Sequence, residues 1–198
     1  MHKIGELQAG LRRKLENPRL SCFVHGGEVR RFVGGKPIRP GMADILVICG
    51  TANRDEMRAC LDGFAQRFHL QPNRRKFMRT RHFTVDQVLV AADGTITCSD
   101  RAKTDLAEQI LRPTHWAWNT DPARGEYGLS SRLCGRAVRL MVEERFSPDP
   151  ALASYLHKHC EELLRSRGFW WHYARIDGVG YDPDADIART AMRPNPLG

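Results

Sequence analysis

No apolar run in this chain of 198 residues approaches the roughly 20 needed to cross a bilayer. Its first residues, Met1-His-Lys-Ile-Gly-Glu-Leu7, lack the apolar core of a secretory signal. Neither membrane insertion nor export is therefore expected. No C-x-x-C pair joins Cys22, Cys49, Cys60, Cys98, Cys134 and Cys160, which argues against a zinc ribbon or a disulfide framework. They read as reduced, mostly buried thiols of a cytoplasmic protein. The Gly-rich elements Gly26-Gly27 and Gly34-Gly35 match neither a phosphate-binding P-loop nor a dinucleotide fingerprint, so no cofactor is expected. There is no internal repeat, no low-complexity tract and no His/carboxylate set at a recognisable catalytic spacing, so no catalytic residue is named.

What is abundant is positive charge. The net charge is +8 and the isoelectric point near 9.5, which favours polyanionic partners. The charge concentrates in Asn73-Arg-Arg-Lys-Phe-Met-Arg-Thr-Arg-His-Phe83, which holds no acid. Arg74, Arg75, Lys76, Arg79 and Arg81 supply cations for a phosphate backbone, with His82 beside them and Phe77 placed to stack on unpaired bases. Phe83 opens a buried strand. Lying between a helix and a strand, the segment is expected as an exposed loop or strand start.

A second basic ridge, Arg132, Arg136 and Arg139, falls within about 60° on one helix. It borders the apolar face of Leu129, Leu133, Ala137 and Leu140. With no helix-turn-helix spacing before it, the ridge implies backbone contact rather than sequence readout. Together these features point to a non-enzymatic cytoplasmic protein that binds nucleic acid, RNA or DNA. Single strands are slightly favoured because rings accompany the cations. The alternatives are a metal-dependent nuclease, using His82 or His172 as base with Asp177 and Asp182–Asp186, and a module that docks an acidic protein partner. No metal site is assigned. His157 and His159 diverge by about 200° on a helix, and Asp182-Pro-Asp-Ala-Asp186 lacks the glycine and glutamate of a calcium loop.

Along the chain, apolar spacing predicts a helix over 3–16, and a hairpin from Leu20–His25 and Val29–Val33 around Gly26-Gly27. Asp44–Cys49 is a central buried strand and 54–68 a helix. Phe83–Ala91 and Thr95–Cys98 form a second hairpin at Asp93-Gly94. Helices are expected at 100–112, at 129–146 with a Ser130 or Ser131 cap, and at 150–167 with Asp149 as N-cap and Pro150 at N1. Phe169–Ile176 reads as a strand with Phe169, Trp171 and Tyr173 on one face, and the tail as irregular. The sum is a mixed α/β (α+β) fold of about six strands and about five helices. An α/β portion would span 1–113 and a mainly helical portion 114–198, either as two parts or as one domain.

One stretch carries a family likeness. Val88–Ala107, with its strand, Asp93-Gly94 turn, strand and helix, resembles ParB/sulfiredoxin-like domains. It departs where that family has a Gly-His-Arg-type motif, here Thr97-Cys-Ser-Asp-Arg101, so no activity is carried over.

Overall fold

The apolar run Ile45-Leu-Val-Ile48 belongs at the inside of a sheet, since a strand covered on both faces has no polar alternation to offer. In the computed structural model, which describes residues 2–17, 19–35, 37, 43–50, 54–61, 68–118, 128–173 and 185–193, it is there. The chain divides into two compact units, 1–81 with 86–103, and 82–85 with 104–198.

In the first unit, β1 (Ser21–His25), β2 (Asp44–Ile48), β3 (Phe68–Gln71), β4 (Val88–Ala91) and β5 (Ile96–Cys98) form a mixed sheet of order β3-β2-β1-β4-β5. β1 runs antiparallel to β2, Ser21 opposite Ile48 and His25 opposite Asp44, whereas β2 and β3 are parallel. The β4–β5 hairpin turns at Gly94, whose φ of 91° suits glycine, and Asp93 accepts the Thr95 N–H at 2.8 Å. Phe23, Leu46, Phe77 and Leu89 form a core cluster.

Helix α1 (His2–Lys14) buries Ile4 and Leu11 and is tied to β1 by polar contacts. The Cys22 N–H donates to Gln8 Oε1 at 2.8 Å, and Arg12 Nε donates to the Leu20 carbonyl at 2.7 Å. Helices α2 (Gly27–Val33), α3 (Arg54–Leu61) and α4 (Arg74–Arg79) complete the unit.

Cys22 gives this packing a chemical readout. Burial pushes its thiol from 9.0 up to about 12, against the opposing pull of the Arg12 charge. Cys98 is exposed. Iodoacetamide near neutral pH should therefore alkylate Cys98 well before Cys22, Cys49, Cys134 or Cys160, as peptide mass mapping would show. Equal rates at Cys22 and Cys98 would refute this burial. The neutral thiol also links stability to pH: its contribution is whole below pH 9.0 and is lost as pH climbs towards about 12.

The second unit is mainly helical, and the division between the units falls within α5 (Asp100–Ala107). It contains α6 (His115–Trp118), α7 (Ser131–Glu144), α8 (Pro150–Arg165), α9 (Arg167–Tyr173) and α10 (Ala185–Met192). Two short parallel strands, β6 (Ile110–Leu111) and β7 (Ser147–Pro148), pair within it. Ser130 accepts the Leu133 N–H at 3.3 Å to cap α7, and Asp149 accepts the Leu152 N–H at 3.0 Å to cap α8. Leu133, Ala137 and Leu140 of α7 join Leu152, Leu156, Phe169 and Met192 in one core.

The α/β class and the helical C-terminal part are as expected, with five strands in the main sheet instead of about six. Four local expectations are corrected. Val29–Val33 is helix, because Gly26 (φ 81°) ends β1 as the N-cap of α2 instead of folding the chain back. Arg74–Arg79 is helix, because Asn73 accepts the Lys76 N–H at 2.8 Å as a cap. Phe169–Tyr173 is helix: Phe169 and Tyr173, four apart, face inward, and Trp171 faces out. Ala185–Met192 is helix, with Ala188 and Met192 forming a buried i,i+4 pair beyond the Pro- and Asp-rich stretch. The helix expected over 54–68 ends at Leu61 in its described part, and Phe68 already belongs to β3.

Candidate functional site

Polar groups gather where β1 ends and β2 begins. His25 and Asp44 are register partners there, and the Asp44 Oδ2 atom lies 3.2 Å from where a Cβ on Gly26 would sit. Glycine thus serves two purposes at this position: it accepts the positive φ and leaves the backbone open beside a carboxylate. The His25 ring meets His69 of β3 at 4.7 Å and Phe77 of α4 at 4.8 Å, both edge-on. Arg30 of α2 reaches the 3-10 turn Thr84–Asp86, where its Nη1 lies 2.5 Å from Asp86 Oδ1. Both partners of that ion pair are nearly fully buried. The helix that Gly26 caps is thus tied to the Thr84–Asp86 turn by a buried salt bridge. Glu28, also buried, lies 3.6 Å from the Arg31 guanidinium.

The basic segment packs against the same unit. Arg74, Arg75, Lys76 and Arg79 are exposed on α4, and Arg81 is half-buried. Arg81 stacks its guanidinium 3.8 Å from the Phe77 ring centroid and donates from Nε to the Phe77 carbonyl at 3.3 Å. Phe77 and Phe83 are both fully buried, so neither ring is presented to a base. The reason for favouring single strands, rings accompanying the cations, therefore does not hold. His82 is half-buried, and its carbonyl accepts the Thr114 N–H at 2.8 Å.

On α7 only Arg132 of the expected ridge is exposed. Arg136 places its guanidinium 5.5 Å from the Phe83 ring centroid, and Arg136 and Arg139 are half-buried and engaged in further interactions. His159 pairs with Glu162 at 3.3 Å and lies against the Tyr155 ring, while His157 is exposed. Asp186 pairs with Arg189 at 2.6 Å, and Asp177, Asp182 and Asp184 lie outside the described residues. Among the described residues no group of three or more His, Cys, Asp or Glu side chains could hold a metal ion, and no helix is long and apolar enough to cross a membrane.

Sequence reasoning did not pick out His25, Gly26, Asp44 or the Arg30–Asp86 pair. A usable signal was present: a Gly-Gly after a buried strand, then a helix, then an acidic residue opening the next buried strand.

This sheet order with a helical second unit is a fold found in enzymes that process tRNA. No protein-family model matches the chain, nor does any curated protein. Among solved structures it is similar to the Bacillus stearothermophilus CCA-adding enzyme in complex with CTP, with a TM-score of 0.60 and 17% identity over 84% of this chain and 46% of that one. It is also similar to the Thermotoga maritima CCA-adding enzyme complexed with tRNA, with a TM-score of 0.64 and 18% identity over 97% of this chain and 50% of that one. An apo tRNA-processing enzyme matches with a TM-score of 0.57 and 17% identity, over 83% and 49%. The chain thus spans about half the length of these proteins, and the likeness is one of fold. It overturns the expectation of a non-enzymatic binder, because each of these structures carries the fold as an enzyme that acts on tRNA or its CCA end.

Proposed function

We propose that this chain handles nucleotides at the end of an RNA, as an enzyme of the kind built on this fold. One observation carries the reading. The fold extends over 84 to 97% of the chain in CCA-adding enzymes seen with CTP, with ATP or with tRNA. The open backbone at Gly26 beside Asp44 is where such chemistry would take place. A 3′-hydroxyl that attacks the α-phosphate of a nucleoside triphosphate forms a phosphodiester, breaks the α–β anhydride to release pyrophosphate, and must lose its proton; Asp44 is the carboxylate beside that turn. Asp44 is therefore assigned the proton. The Arg30–Asp86 pair anchors the helix that follows the turn.

The test is incorporation of labelled CTP and ATP into a tRNA lacking its 3′-terminal CCA, by the 198-residue chain in the presence of magnesium. Label should appear at the 3′ end, and Asp44→Asn should slow its appearance by roughly 10²-fold or more. Absence of both incorporation and CTP binding with the wild-type chain would overturn the reading. Shortening of the tRNA instead of extension would reassign the enzyme as a nuclease.

A further inference from the structure

The exposed cations of α4 crowd one short helix, Arg74 and Arg75 at its start and Lys76 and Arg79 in its last turn. Its first turn contains no acid. The helix N-terminus carries partial positive charge, so Arg74 and Arg75 oppose the helix dipole. Arg75 and Arg79, four apart, add a like-charge repulsion along one face. Arg74 lies over the Phe23 ring, 5.4 Å from its centroid, but no acid offsets either conflict among the described residues. Arg30, Arg31, Arg58, Arg112, Arg189 and Arg193 all meet acids, whereas Arg74, Arg75, Lys76 and Arg79 form no ion pair with any described residue. The helix is held from its other side: Phe77 is fully buried, Gln87 Nε2 donates to the Met78 carbonyl at 3.1 Å, and Thr80 caps the C-terminus. A rigid platform with surplus charge results, and it works against its own stability.

We infer that Arg74, Arg75, Lys76 and Arg79 form a docking surface for the phosphate backbone of base-paired RNA. With about 100° per residue, Arg75 and Arg79 point away from Phe77, and Arg74 and Lys76 flank them. The four cations occupy roughly 7.5 Å of helix length. Because the neighbouring rings Phe77 and Phe83 are buried, the surface has no ring from this segment on which to stack a base. Base stacking is how single strands are usually held, whereas paired RNA is held through its phosphates and 2′-hydroxyls. The inference rests on the proposed function only for choosing RNA as the polyanion.

The test compares the wild-type chain with Arg75→Ala/Arg79→Ala by fluorescence anisotropy at about 50 and about 200 mM salt. The probes are a labelled RNA hairpin, an unpaired RNA strand of equal length, and poly-glutamate. CTP binding is measured separately on both proteins, and circular dichroism confirms that the variant is folded. The wild type should prefer the hairpin. Losing two phosphate contacts should weaken hairpin binding roughly 25- to 60-fold at about 0.1 M salt and make the log–log salt slope shallower by about 1.4 to 1.8. CTP binding should be unchanged.

Unchanged hairpin affinity in the variant overturns this inference and leaves the proposed function intact. Hairpin binding through α4 with neither nucleotide incorporation nor CTP binding supports the inference and removes the proposed function. Preference for the unpaired strand, or tighter binding of poly-glutamate than of RNA, overturns it in favour of a single strand or an acidic protein.

Discussion

Replacing Gly135 by Ala should lower the stability of the second unit by about 4 kcal/mol or more. On an exposed helix the same change would gain up to about 1 kcal/mol, because alanine is the better helix former. The sign reverses here because α9 crosses α7 at this residue. A Cβ on Gly135 would sit 2.9 Å from the carbonyl carbon of Phe169 and 3.1 Å from its Cα, with the carbonyl oxygen closer still. These are backbone atoms, so no rotamer change can relieve the clash and α9 must move as a body. Phe169 is fully buried and Tyr173 nearly so, and both rings belong to the main core, so that movement opens the core as well. All four tryptophans, Trp116, Trp118, Trp170 and Trp171, lie in this unit. Tryptophan fluorescence during urea unfolding therefore reports on it directly. An alanine variant that unfolds at the wild-type urea midpoint would show that α7 and α9 do not approach this closely.

Much of this architecture was legible from local chemistry. Ser130 before α7, and Asp149-Pro150 before α8, signal helix starts through side chains that bond only to the backbone next to them. The Asp93-Gly94 turn and the continuous run of β2 are equally self-contained. The misread segments have patterns compatible with two periods. Val29, Phe32 and Val33 fit a helix stripe as well as a short strand, and Gly26 with positive φ serves an N-cap as readily as a hairpin. Phe169, Trp171 and Tyr173 alternate like a strand, but burial selects the i,i+4 pair Phe169–Tyr173, and the contact that selects it is Gly135, far away in sequence.

The candidate site was less legible for the same reason. His25, Asp44 and His69 are brought together by the sheet register, Asp86 is joined to α2 by its ion pair with Arg30, and none of those pairings leaves a mark in sequence spacing. The cations of α4 were visible as composition. Their tension with the helix dipole became visible only once the segment was known to be a helix.

Arg112→Ala should be as damaging as the glycine replacement, by about 3–5 kcal/mol, for an electrostatic reason. Arg112 stands between two acids. Its Nε donates to Asp105 Oδ2 at 3.2 Å and its Nη1 to Asp149 Oδ2 at 2.8 Å. Asp105 is fully buried and also accepts the Thr84 hydroxyl at 2.6 Å. Asp149 is nearly as buried, and its other oxygen caps α8. Removing the guanidinium therefore strands two carboxylates away from water, whereas removing one acid leaves Arg112, a quarter exposed, its other partner and some solvent.

The ordering follows: Arg112→Ala should cost more than Asp105→Ala, and the double variant less than the sum of the two, because the second change removes a charge the first had stranded. Arg112→Lys should recover less than half of the loss. An ammonium is a point charge, and the two acids are bridged by a planar fork donating from separate nitrogens. The links run 7 residues to Asp105 and 37 to Asp149, and Thr84 reaches Asp105 across 21, so one network of side chains joins four segments of the second unit. Urea unfolding followed by tryptophan fluorescence gives each of these values. If Arg112→Ala falls within about 1 kcal/mol of wild type, solvent reaches both carboxylates and the network holds nothing together.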